Sequence, residues 1–286
     1  METYPNGKSK ETSCRKSIMQ ITHYKLNTPC RIALLTDMHN QPWEDGLRVL
    51  AAEKPDLICI AGDLLHDDYH SSFEEETNIL PFLRACVSQA PTFFSFGNHE
   101  WCMTPEQIEQ IKDLGVTVLD NEWTEWTSCT DCNDCTGCSN GAPHSDGAPC
   151  SRQTRLLIGG LTPGVVTKQR KPDWRSDPTP PDPKLEWLAE FEKQDGCRIL
   201  LCHHPEYYPT YLADRNIDLV LSGHAHGGQW RLFGRGLVAP GQGLFPRLTS
   251  GVHPGARGGK LIISRGMGNG TWIPRINNPC EVVIIT

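Results

Sequence analysis

The stretch "LSGHAHGGQW", residues 221–230, places two histidines one residue apart among glycines, directly after the apolar run from Asp218 to Leu221. The same pattern, an apolar run stopping at a side chain able to bind metal, recurs along the chain. Asp37 and His39 follow the first such run, Asp63 the second, Asn98 and His99 the third, His203 a fifth, and His224 and His226 a sixth. Imidazoles, carboxylates and one amide, with no thiolate, suit manganese, iron or zinc in a catalytic site rather than a cysteine-bound structural zinc. The set is too large for one ion, and two ions need a shared ligand. An aspartate bridge holds such a pair roughly 3.5–4 Å apart, the separation at which a bridging hydroxide attacks phosphorus in line. Asp63 is the expected bridge, and His224 and His226, on one tight turn, would reach different ions.

Residues this far apart in sequence converge only if the fold delivers them. The apolar runs at 31–37, 56–63, 91–100, 155–162, 198–205, 218–226, 260–266 and 281–286 are continuous rather than alternating, which predicts strands covered on both faces. Helices are predicted between several of them. The clearest is "TPEQIEQIKDLG", with Thr104 as N-cap, Pro105 in the first turn, Gln107 completing a capping box and Gly115 as the stop. A second is predicted from Asp182 and Pro183 to Gly196, and weaker ones at 43–54 and 78–89. The order of elements implies a layered α/β architecture with sheet at its centre. In such folds the loops at the carboxyl ends of parallel strands form the ligand crevice. Gly62, Gly97 and Gly223 precede ligand-bearing turns, where a missing Cβ allows close approach.

Taken together, "DMH", "GD", "GNHE", "HHP" and "GHAHGGQ", in this order, resemble the five-block signature of the calcineurin-like metallophosphoesterases. The last block and the "SRGMG" segment resemble the branch of small bacterial phosphodiesterases whose signature ends in GHxHGGQ. The resemblance runs from about residue 31 to the C-terminus, apart from a cysteine-rich insertion. It implies an α/β fold in which a two-sheet β-sandwich is flanked by helices and carries a binuclear site. Carried over by position, it gives one metal to Asp37, His39, Asp63 and His226, and the other to Asp63, Asn98, His203 and His224. The family pattern His-x-Pro makes His203 the ligand and His204 its neighbour. His99 resembles the histidine that contacts the scissile phosphate and assists the leaving oxygen, work that suits a group titrating near neutrality. Glu100 either orients a metal-bound water or His99, or is an ordinary carboxylate at a helix entry. Arg231, Arg235 and Arg265 read as solvated surface in preference to a phosphate grip.

Composition sets the outer bounds. The chain has 286 residues, 38% hydrophobic and 21% charged, ample for a large core. It is expected to form one domain over 1–286. A net charge of −7 argues against a general nucleic-acid or anionic-membrane surface, while bound metal would still reverse the field locally. No stretch has the length of a bilayer span, and the N-terminal segment lacks the apolar core of a secretion signal. An odd 13 cysteines, two of them (Cys59 and Cys202) inside strand-like runs, fit a reducing cytoplasm. Cys129, Cys132, Cys135 and Cys138 follow a C-x2-C-x2-C-x2-C spacing, with Cys150 further on, in an insertion at 129–150 that interrupts a hairpin; zinc or an Fe–S cluster would suit it. Three functions therefore compete. The first is a binuclear phosphoesterase acting on phosphodiester or pyrophosphate-type bonds of a small-molecule or lipid-linked substrate. The second is a UDP-diacylglucosamine-type pyrophosphatase. The third is a cysteine-rich metal-binding, redox or interaction module on an inactive phosphoesterase scaffold. The oligomeric state is left open.

Overall fold

The structure, a computed structural model, describes residues 19–66, 77–129, 153–164, 182–239, 242–271 and 273–286. All eight predicted runs form strands: β2 (Ile32–Leu35), β3 (Leu57–Ala61), β4 (Thr92–Ser95), β7 (Gln153–Leu161), β8 (Cys197–Cys202), β9 (Leu219–Ser222), β15 (Lys260–Ile263) and β16 (Glu281–Ile285). Four further strands complete the sheets: β1 (Gln20–Tyr24), β5 (Thr117–Leu119), β6 (Glu122–Cys129) and β14 (Gly251–Pro254). Two short ribbons, β10 (Arg231–Leu232) with β11 (Arg235–Gly236) and β12 (Val238–Ala239) with β13 (Gly243–Leu244), follow the last histidine block.

The strands form two six-stranded mixed sheets, ordered β1-β16-β2-β3-β4-β5 and β14-β15-β9-β8-β7-β6. The runs are continuously apolar because alternate residues of each strand point to opposite faces and both faces are covered. From β2, Ile32 and Leu34 pack between the sheets with Leu57, Leu156, Ile199 and Leu219. Ala33 and Leu35 point the other way, against α1 (Glu44–Glu53), α2 (Ile79–Val87) and α3 (Pro105–Asp113) through Leu50, Phe82 and Ile111. On the far face of the second sheet, Leu157, Leu200 and Val220 meet Leu188, Phe191 and Leu212. Each fully buried leucine or isoleucine contributes about 1.5–3 kcal/mol, so the three apolar layers dominate the stability of the frame.

The Thr104 capping box is present as the sequence implies, with the Gln107 amide nitrogen donating to Thr104 Oγ1 (3.3 Å) and the Thr104 amide to Gln107 Oε1 (2.9 Å). The helix predicted from Asp182 to Gly196 is shorter: only α4, Leu188–Phe191, is helical. Asp182 accepts a hydrogen bond from the Tyr211 hydroxyl instead of capping a helix. The Glu192 and Gln194 carbonyls accept from Arg198 Nη1 (3.3 and 3.1 Å), which ties the chain off before the helix can extend. The cysteine-rich insertion lies almost wholly outside the described residues, Cys132, Cys135, Cys138 and Cys150 among them; Cys129 closes β6, opposite Gln153 of β7.

A candidate binuclear metal centre

Strands β2, β3, β4 and β5 run parallel in the first sheet, as do β15, β9, β8 and β7 in the second. The chemistry-bearing loops leave the carboxyl ends of β2, β3, β4, β8 and β9 and are bonded to one another across the two sheets. The Asp37 amide donates to the Gly62 carbonyl (3.1 Å), the His39 amide to the Asp63 carbonyl (3.1 Å) and the Gly223 amide to the His203 carbonyl (3.1 Å). The His224 amide donates to Asp37 Oδ1 (3.0 Å) and the His99 amide to Asp63 Oδ1 (3.0 Å). Space is tight at the crossing: a Cβ on Gly62, itself at φ +83°, would sit 2.6 Å from Gly97 Cα and 2.6 Å from His203 Nδ1. The backbone is also bent against its preference. Asp37, His39, Asp63, His224 and His226 hold φ of 52°, 49°, 58°, 66° and 45°, a left-handed region that non-glycine residues adopt at a cost and that clusters at functional sites.

The side chains form overlapping groups whose donor atoms lie within 4.8 Å of one another: Asp37, His39 and His226; His39, Asp63 and His99; Asp63, His203 and His224. In the first, His39 Nε2 is 3.3 Å from His226 Nε2 and 3.9 Å from Asp37 Oδ1, which lies 3.7 Å from His226 Nε2. Asp63 Oδ2 stands between the groups, 3.7 Å from His39 Nε2, 3.0 Å from His203 Nε2 and 3.9 Å from His99 Nε2. Two ligands bonded at about 2.1 Å to one ion stand roughly 3.0–3.5 Å apart, so these spacings are close to those of a coordination shell. The tautomers of two rings follow from backbone carbonyls, which only accept. His39 Nδ1 donates to the Leu65 carbonyl (2.9 Å) and His203 Nδ1 to the Ala61 carbonyl (2.8 Å), which turns each Nε2 inward. Asp37 Oδ2 and Asn98 Oδ1 are buried without a hydrogen-bond partner among the described residues, as atoms reserved for a cation would be.

Burial shapes the charges. It pushes His39 down to about 3 and holds His224 and His226 well below the usual histidine range, so these rings are neutral, lone-pair donors at neutral pH. His203 goes the other way: burial opposes its charge, yet the neighbouring Asp63 carboxylate raises it to about 9. Burial would raise Asp63 itself, but His203, His99 and His39 around it hold the carboxyl well below the ordinary range.

Several contacts were not evident from the sequence. Glu100 lies in the first turn of the short 3-10 helix His99–Cys102, the helix-entry position the sequence offered, and its carboxylate binds backbone amides. Its Oε1 accepts from the amides of Leu64 (2.8 Å) and Leu65 (3.1 Å), and its Oε2 from those of Asp63 (2.9 Å) and Gly97 (2.6 Å), so it clamps the Asp63 and Asn98 loops together. Arg275 Nη2 lies 3.2 Å from His226 Nδ1. Arg265 is buried in an ion pair with Glu281 (2.6 Å), and Arg231 Nη1 donates to the Gly227 carbonyl (2.7 Å), so both arginines support the scaffold. His204, Glu206 and His224 make a fourth group. The "HHPE" sequence held the signal for it, a second imidazole and a carboxylate beside a ligand.

Known proteins resemble this chain over much of its length. It is 29% identical over 215 residues to phosphodiesterase YaeI of Escherichia coli K12, covering 71% of this chain and 63% of that protein. It is 27% identical to putative metallophosphoesterase F40B5.2 of Caenorhabditis elegans, over 69% of this chain and 36% of that protein. The chain thus spans less than two thirds of the length of either relative. An uncharacterized metallophosphoesterase of Aquifex aeolicus is 27% identical, with 91% of this chain and 85% of that protein covered. Among solved structures, TT1561 of Thermus thermophilus superposes with a TM-score of 0.46 at 13% identity, over 85% of this chain and 91% of that one. A family profile described as calcineurin-like phosphoesterase matches residues 30–228, from the strand before Asp37 to just past His226, and the chain therefore belongs to the calcineurin-like phosphoesterase family.

Proposed function

We propose that this pocket binds two divalent metal ions and hydrolyses phosphodiester or pyrophosphate-type bonds. Asp37, His39, Asp63 and His226 would hold one ion and Asp63, Asn98, His203 and His224 the other, with manganese, iron or zinc matching the donor set. The observation that carries this reading is the position of Asp63 Oδ2, buried between His39 Nε2 and His203 Nε2 at 3.7 and 3.0 Å. When bound, the ions supply an activated water and a positive field for the phosphoryl oxygens. The chain's own residues do the rest. The backbone clamp made by Glu100 fixes Asp63, and the carbonyls of Leu65 and Ala61 fix the rings of His39 and His203. His99, partly exposed and 3.9 Å from Asp63 Oδ2, is placed to donate a proton to the leaving oxygen. The test is turnover of bis-p-nitrophenyl phosphate and p-nitrophenyl phosphate by the manganese-loaded protein. Absence of turnover on both, with two ions bound, defeats the reading. His99→Ala is expected to keep the ions and to slow turnover by roughly 10²–10⁴-fold.

A lipid-linked pyrophosphate of the UDP-diacylglucosamine type is favoured as substrate by one feature. Phe233, Leu244 and Phe245 are 96%, 73% and 77% exposed on the two ribbons after His226, and the Leu237 amide ties those ribbons to the Gly228 carbonyl. Large apolar side chains held in water at a ribbon tip suit an acyl chain or a bilayer surface. Phe233→Ser with Phe245→Ser should cut turnover of a lipid-linked pyrophosphate while sparing bis-p-nitrophenyl phosphate. Equal loss on both substrates counts against this choice.

A further inference from the structure

We propose a third metal site, formed by His204, Glu206 and His224, beside the pair centred on Asp63. It goes beyond the two-ion reading and shares one residue with it, His224. Both carboxylate oxygens of Glu206 and Nδ1 of His204 are buried and lack a hydrogen-bond partner among the described residues. The His204 side chain is only 6% exposed, and its Nδ1 lies 3.7 Å from Glu206 Oε2. That gap is too long for a hydrogen bond. It is close to the roughly 3.4 Å that separates two ligands bonded at about 2.1 Å to one tetrahedral ion. The donor atoms of His204, Glu206 and His224 lie within 4.8 Å of one another, the limit met by the groups around Asp37 and Asp63. The His204 and His224 rings approach to 4.1 Å between centroids.

The chemistry of the set is specific. Two imidazoles and one carboxylate with an open side form a zinc-type ligand set, which first-row divalent ions share. A buried carboxylate with neither an amide nor a cation beside it is strongly disfavoured, and an ion removes that penalty. Glu206 keeps 14% of its side chain exposed, so the group lies near the surface and not deep in the core. The His224 ring carries two nitrogens, and to serve an ion on each side at once it would release its remaining N–H proton to solvent and bridge as an imidazolate.

The test is anomalous diffraction across the zinc edge from crystals of the full chain grown with zinc. A peak between His204 and Glu206, in addition to the pair at Asp63, supports the site. Glu206→Gln should erase that peak, keep the pair, and lower bound zinc by one ion per chain. His204→Gln should erase the same peak from the opposite side, which separates ligand loss from misfolding at one position. Any zinc held by the cysteine-rich insertion is distinguished by position. If the pair is filled and the space between His204 and Glu206 holds only water, the third site is overturned and the two-ion reading stands. A peak there with none around Asp63 supports the third site and overturns the two-ion reading.

Discussion

Glu100 and Glu206 are both glutamates beside the candidate ligands, and the protein treats them in opposite ways. Glu100, 3% exposed, accepts four backbone amides, so its charge is satisfied by the chain and spent on architecture. Glu206 accepts none among the described residues, and both its oxygens are buried. A buried carboxylate that is fully bonded rigidifies what surrounds it, while one left without donors carries a charge that a bound cation would offset. The Asp63 loop is thus braced by hydrogen bonds to Glu100, whereas the Glu206 oxygens in the loop after β8 have no such partner among the described residues.

That contrast can be broken at several points. The largest effect is expected at Asp63, which serves both groups: Asp63→Ala should lower turnover on bis-p-nitrophenyl phosphate by about 10³-fold or more, the scale on which single electrostatic stabilisers act, and should abolish paired metal binding. Retention of two ions would move the centre elsewhere. Glu100→Gln places an NH2 group against backbone amides, at a cost of about 3 kcal/mol. For a chain of this size that lowers Tm by roughly 6–12 °C. An unchanged melt would show that the clamp contributes nothing.

Protons give a smaller and sharper signal. At pH 7 the ring of His203 carries its proton, because its folded pKa is raised to about 9, whereas His39, His224 and His226 are already neutral. Metal uptake should therefore release about one proton from these four rings, measurable by calorimetry in buffers of different ionisation heat; release of three or more contradicts the charge pattern. The metal-free fold should also lose stability on both sides of pH 6.5. His39 is depressed, so its contribution is full above about 6.5 and fades as pH falls toward 3. His203 is raised, so its contribution is full below about 6.5 and fades as pH rises through 9. The smallest loss belongs to Glu206→Gln in the metal-free protein, which should be at least as stable as the parent because no hydrogen bond is lost and an uncompensated buried charge is removed. A loss as large as that of Glu100→Gln would remove the distinction between the two glutamates.

Much of this was legible in the chain. The eight apolar runs became strands because both faces of each sheet are covered, and continuous apolarity records that directly. The eight polar residues at the run ends were readable for the same reason, since each sits one turn past a strand end. Glu100 was not, because its partners are backbone amides, which every residue possesses and no motif announces. The shortening of the helix after Asp182 was equally hidden: it depends on Arg198 and Tyr211, remote side chains that take over its carbonyls and its cap. β5 has three residues and too little pattern to show, and its pairing with β4 is a tertiary event.

The left-handed backbone at Asp37, His39, Asp63, His224 and His226 has one further consequence. Glycine would relieve the backbone at each of these positions by about 1 kcal/mol, but at Asp37 and Asp63 it would also remove the oxygens that hold the His224 and His99 amides, at a greater cost. Selection for robustness and selection for chemistry therefore pull in opposite directions at the histidines of this set and together at the two aspartates, so a survey of thermally hardened but inert variants should spare Asp37 and Asp63.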